Sequence, residues 1–203
     1  MGKKDNAYHH GDLRKSLISQ ALAIVREEGV AKLTLRKVAR LAGVSHAAPA
    51  HHFKDMNGLL AAIAEEGFVK MVQHMKKAAG KYPSENSLER FKAIGVSYVE
   101  FATQNPSFIK IMNHPSLAEK SLYPGLKRAS NETFNLLTNA VQECQSKKLV
   151  REGDVLELSL FAWSTVHGLA VLAVDGQLNG VGLRQDLQVY TDKVTDLLYS
   201  GLM

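Results

Sequence analysis

The chain has 203 residues, 45% hydrophobic and 22% charged, the make-up of an ordinary globular protein with a sizeable core. Its formal net charge is +5, and the excess lies wholly in the first quarter: residues 1–56 hold ten Lys/Arg against five Asp/Glu, while the rest holds fifteen of each sign. Five of the eight histidines also fall there. A basic end on a neutral body points to a local contact with a polyanion, the plainer reading being a solvated basic face. The single cysteine, Cys144, excludes an internal disulfide, suits a reducing compartment and reads as a small packing residue.

The opening Met1-Gly-Lys-Lys-Asp5 has no apolar run, so no signal peptide is expected. The most apolar stretch, 155–174, is interrupted by Glu157, Ser159, Ser164, Thr165 and His167, which argues against a membrane span. The expectation is a cytoplasmic protein with no membrane partner.

Helical periodicity runs almost throughout, and no stretch alternates as a strand does. The first helix carries Leu13, Leu17, Ala21, Ile24 and Val25 on one face and ends at Gly29, suited to a left-handed cap. Thr34 caps a short second helix whose apolar side is Leu35, Val38, Ala39 and Ala42. Gly43-Val44-Ser45 reads as a tight turn, and a third helix is predicted from about His46 to His52 with Ser45 as its cap. Asp55 caps a long fourth helix with Leu59, Leu60, Ile63, Gly67, Met71, Val72 and Met75 in phase, fading by Gly80. Residues 81–87 read as a linker.

A fifth helix has Leu88, Phe91, Gly95, Tyr98 and Ala102 in phase and stops at Asn105-Pro106. A short sixth spans Phe108 to Met112, and a seventh runs from near Pro124 to Lys148 with Leu126, Phe134, Leu137, Val141 and Cys144 inward. Asp154 and Glu157 have the spacing of a capping box for an eighth helix that is apolar nearly all round, so more than one side of it must be covered. The last helix repeats Leu183, Leu187, Tyr190, Val194, Leu197 and Leu198. Surplus apolar surface on these two helices predicts a homodimer through a four-helix bundle, with Leu187, Tyr190, Val194 and Leu197 at the interface; burial within the chain's own core stays open as the alternative. The fold class is all-α, about nine helices.

The stretch from Thr34 to Phe53 has the plan of a helix-turn-helix. Ala39 lets two helices approach, Gly43 takes the turn, Val44 tucks beneath it, and the second helix projects polar side chains toward a major groove about 12 Å wide. Residues 8–71 resemble the DNA-binding domain of the TetR family, the tetracycline-repressor-like regulators, in the words Tyr8-His-His-Gly-Asp-Leu-Arg14, Leu33-Thr-Leu-Arg-Lys-Val-Ala39, Ala42-Gly-Val-Ser45, His52-Phe53 and Leu59-Leu60. Trp163-Ser-Thr-Val-His167-Gly168 is similar to the Trp-x-x-x-His-Gly signature of one class of that family's effector domains. The stretch 72–155 carries no such match.

The resemblance implies an N-terminal three-helix DNA-binding domain (8–71, motif 34–53) joined by the long helix to a C-terminal effector-binding and dimerisation domain (72–203). It implies a ligand-released repressor, with base contacts from Ser45, His46 and Ala47 and phosphate contacts from Thr34, Arg36, His51, His52 and Lys54. Two positions depart from the family's habit: Ala50 stands where Tyr is usual and Met56 where Lys is usual, so two phosphate contacts are missing. Pro49 implies a slightly irregular recognition helix. A pocket for a small, largely apolar or aromatic effector is expected from Tyr98, Phe101, Phe108, Met112, Trp163 and His167; a core role for Trp163 and His167 is the plainer alternative.

Adjacent histidines, 9–10 and 51–52, point apart on a helix and suit no shared metal, and no cofactor is expected. No nucleophile elbow, phosphate loop or dinucleotide turn is present, which leaves a small helical enzyme as a remote reading. A ligand-binding or scaffold protein that has lost operator binding through Ala50 and Met56 is the nearer alternative.

Overall fold

The computed structural model describes residues 5–182 and 186–202, with side chains from residue 13 onward; Leu183 and the side chains of the Tyr8–Asp12 word lie outside the described residues. Among the described residues there are nine α-helices and no strand: α1 Asp5–Glu28, α2 Leu35–Leu41, α3 Ala48–Phe53, α4 Met56–Ala79, α5 Ser87–Gln104, α6 Pro106–Met112, α7 Pro124–Ser146, α8 Val155–Val174 and α9 Leu187–Ser200. They form two compact units, one of Met1–Gly67 with Ser107–Lys127, the other of Phe68–Pro106 with Arg128–Met203. The sequence pattern groups 107–127 with the C-terminal half; in the structure this segment belongs with the N-terminal unit.

In the first unit Leu17, Ile18, Ala21, Ile24 and Val25 of α1 are buried where α1 packs on α2 and α3, and Val38 and Ala39 of α2 have no exposed surface. Gly29 has φ 85 and ψ 165, so it is not the left-handed cap expected. It reverses the chain in a conformation only glycine adopts freely, ahead of a 3-10 turn at Val30–Lys32. On α4, Gly67 is a point of contact with α6: a Cβ there would lie 2.7 Å from Met112 Sδ and 2.9 Å from Phe108 Cδ1.

In the second unit α5 packs along both α8 and α9. Gly95 permits the approach, since a Cβ there would already touch Tyr199 Oη, Thr195 Cγ2 and Val166 Cγ1 at 3.4–3.5 Å. Phe91 meets Tyr199 edge-on at 5.0 Å. The expected linker ends one residue early: Ser87 is the first residue of α5, buried, and its hydroxyl donates to Glu143 while Lys147 Nζ lies 2.6 Å from it. Cys144 is wholly buried, and burial pushes its thiol up to about 11.

α8 starts as its sequence suggests, with Asp154 Oδ1 accepting from the Leu156 and Glu157 N–H groups. By length and composition alone α8 is long and apolar enough to cross a membrane. It buries Leu158, Ser159, Ala162, Val166 and Ala170 along one side and leaves Leu156, Leu160, Phe161, Trp163 and Leu172 between 40% and 59% exposed. On α9, Leu198 turns inward and Leu197 is 73% exposed, so the two do not share a face as the repeat suggested.

Candidate functional site

The turn between α2 and α3 is built by short-range bonds. Thr34 Oγ1 accepts from Lys37 N–H at 3.2 Å and starts α2. Gly43, at φ +69, closes the turn, and Val44 N–H donates to Ala39 O at 3.0 Å. Ser45, His46 and Ala47 are exposed and form the lead-in to α3. The third helix therefore begins at Ala48, two residues later than expected, and Ser45 is not its side-chain cap; its carbonyl accepts from Ala48 N–H at 3.0 Å. Pro49 is the physical reason. A helix starting at His46 would need a Pro49 N–H for its first internal bond, whereas a start at Ala48 puts proline in the first turn, where no donor is required.

Arg36, His51 and Lys54 are exposed, as is Ala50, while His52 and Met56 are half-buried. The sequence reading missed Arg40, exposed one turn beyond Arg36 on α2; the four-residue spacing was its signal. Lys37 is not available in the same way, because its Nζ pairs with Glu28 at 2.5 and 2.6 Å. Asp55 is likewise engaged, its Oδ1 accepting from Gly58 N–H at 2.8 Å. Glu28 and Asp55 are thus engaged, while Arg36, Arg40, His46, His51 and Lys54 are exposed. Beneath them Phe53 is 6% exposed, with the Arg14 guanidinium 5.7 Å from its ring centre.

Lys54 occupies φ 70 and ψ −60, and Asp55 N–H donates across it to Phe53 O at 2.9 Å, a γ-turn of the strained kind with positive φ. The same carbonyl explains Gly58, where a Cβ would lie 1.8 Å from Phe53 O. Neither feature was anticipated.

Of the six residues expected to share a pocket, the second unit brings three together and adds Phe134. Tyr98 Oη lies 2.7 Å from His167 Nδ1. The Trp163 ring sits 5.7 Å from His167 and 5.9 Å from Phe134 between centroids. Burial pushes the Tyr98 hydroxyl up to about 12 against the lowering effect of a hydrogen bond from Trp163, and burial holds His167 below its usual value. Phe101 is buried beside His74 instead, and Phe108 and Met112 pack on Gly67 in the first unit. A groove of about 370 Å³ elsewhere in the second unit is lined by Tyr82, Lys92, Glu100, Asp192 and Asp196 among others, and by none of the six. Leu187, Tyr190 and Val194 are half-buried on α9.

The Tetracyclin repressor-like, C-terminal domain family model matches residues 91–198, and that of the bacterial regulatory proteins, tetR family, matches 17–63. A solved protein of unknown function from Rhodococcus sp. RHA1 is 33% identical, with a TM-score of 0.79 over 96% of this chain and 97% of its own. The nucleoid occlusion factor SlmA of Aliivibrio fischeri (strain MJ11) is 29% identical over 154 residues, 73% of this chain and 72% of its own. The transcriptional regulator FadR of Bacillus subtilis, solved with stearoyl-CoA, shares the fold at a TM-score of 0.73 and 18% identity over 93% of this chain and 99% of its own. An exposed helix-turn-helix on an all-α chain, matched at both ends by these family models, makes this protein a member of the TetR family of transcriptional regulators.

Proposed function

We propose that this regulator is a cytoplasmic, ligand-released repressor: a homodimer that reads a roughly palindromic operator and leaves it when a small, largely apolar molecule fills its C-terminal domain. The observation that carries the reading is the surface at α2 and α3, where Arg36, Arg40 and Lys54 are exposed while Glu28 and Asp55 are held in other bonds. Phosphates are recognised by such cations, and base edges by the residues that enter a recognition helix. Residues 8–71 serve the DNA in this reading and 72–203 the effector and the partner subunit. The long acyl chain of the stearoyl-CoA solved with FadR supports an apolar portion in an effector for this fold. The function is regulatory rather than catalytic.

The test is a salt titration of binding to DNA upstream of the regulator's own gene. Arg36→Ala and Lys54→Ala weaken binding to every sequence and flatten its salt dependence, whereas His46→Ala changes which sequence is preferred. Restoring the family's usual residues, Ala50→Tyr with Met56→Lys, tightens binding by roughly 1–2 kcal/mol. Absence of binding to any upstream fragment, at low salt and with the dimer intact, overturns the reading.

A further inference from the structure

Arg14 lies on α1, outside the helix-turn-helix, yet its guanidinium carbon sits 5.7 Å from the centre of the ring of Phe53, the last residue of α3. Phe53 is 6% exposed, whereas Arg14 is exposed. The ring thus restrains a cation that stays at the surface. Among the described residues no carboxylate pairs with Arg14. Its N–H donors are not committed to an acid.

The contact is not what holds the two helices together. Leu17, Ile18 and Ala21 of α1 are buried, and a cation over a ring at an exposed site adds little to burial of that kind. Its placement is the informative part. Phe53 is followed directly by Lys54, which is exposed, so the end of α3 joins two cations from different helices through one ring. The acid beside them, Asp55, is engaged with the Gly58 N–H. A guanidinium presents its donors in a planar fork that matches phosphate, and a fork already restrained loses less freedom when it binds.

We propose that Arg14 is a DNA-backbone contact presented by Phe53: the ring steadies the guanidinium, whose N–H groups donate to a phosphate other than the one that Lys54 serves. Phe53 is a positioning residue that acts through Arg14. The contact carries no sequence information and extends the footprint from α2 and α3 to α1. The proposal rests on the DNA-binding part of the proposed function and is independent of effector and operator sequence.

Because phosphates are alike in every duplex, the probe is a fluorescein-labelled duplex of mixed sequence, titrated by anisotropy from low to physiological salt. Arg14→Met lowers affinity about ten-fold, the worth of one charge-assisted hydrogen bond, and flattens the logarithmic salt slope by about 0.9, one phosphate. Arg14→Lys keeps the slope of the wild type and loses affinity several-fold, since an ammonium has no fork to be steadied. Phe53→Leu keeps an apolar side chain and removes the ring. It weakens binding several-fold in the wild type and has no effect in the Arg14→Met background, a coupling that a purely structural role for Phe53 would not produce. Thermal melts confirm that each variant is folded, and Phe53→Tyr, which keeps a ring, stands in for Phe53→Leu as the retained-binding control. An unchanged salt slope in Arg14→Met, or an equal loss from Phe53→Leu in both backgrounds, overturns this proposal and leaves the DNA-binding reading standing. A wild type that binds no duplex at low salt overturns that reading and the proposal with it.

Discussion

Lys54 pays in backbone strain for its position. Its φ of 70 with ψ −60 is a region that residues with a Cβ rarely enter, and such outliers cost about 1–3 kcal/mol. Glycine would sit there without penalty. Under the proposed function, the lysine at this point serves through its ammonium, as a phosphate contact. Lys54→Gly has a two-sided outcome: relief of strain, less the added freedom of the unfolded chain, raises the melting temperature by about 2–4 °C per kcal/mol gained. The same change weakens DNA binding on all sequences. Calorimetry and a binding titration on one preparation check both halves, and a lower melting temperature would show that the turn requires the lysine. At this scale the sequence was legible for side-chain chemistry and mute on backbone geometry. Lys54 stood out through its resemblance-derived role, but nothing in a Phe-Lys-Asp tripeptide signals a positive φ. Trp163 and His167 stood out by their spacing, whereas the partners Tyr98 and Phe134 lie far away in the chain on α5 and α7.

Among the elements, the junction of α3 and α4 shows how a general rule reverses locally. Gly→Ala inside a helix ordinarily stabilises by about 0.5–1 kcal/mol. At Gly58 the added carbon meets a backbone carbonyl at 1.8 Å, which has no flexible end to swing away. Gly58→Ala is expected to destabilise by about 1–3 kcal/mol in urea denaturation and to weaken DNA binding, since α3 must shift to make room. Asn57→Ala, exposed on the same turn, serves as the control and changes neither. Caps were the legible part of the elements: Thr34, Asp55 and Asp154 each accept the backbone N–H bonds that their positions suggested. The start of α3 was not, because Ser45 is a good cap by type, and only the demand that Pro49 fall within the first turn moves the helix to Ala48.

For the whole molecule, the order and number of helices were readable, since periodicity and caps are local. Which apolar residues end up facing out was not. Leu197 and Leu198 are neighbours of equal hydrophobicity, and tertiary packing of α9 on α5 decides that Leu198 is inside. For the same reason residues 107–127 gave no sign of joining the first unit. The proposed dimer follows from the outward set. Phe161→Glu with Leu197→Glu yields a folded monomer by sedimentation, because both side chains are already solvated in the protomer. Leu198→Glu, by contrast, unfolds the second unit. A double variant that stays dimeric would place the partner contact elsewhere.

The shortness of α3 has a consequence for how a site is found in a genome. Six residues, one of them Pro49 and two of them alanines, offer few side chains long enough to question a base. With three or four side chains reading about four base pairs, one head meets an acceptable word by chance roughly once in every few hundred base pairs. A single head is therefore an address shared by thousands of loci. In the proposed dimer, only the product of two heads at a fixed spacing, sharpened by how readily the intervening DNA bends, names a place rarely enough to mark one operator.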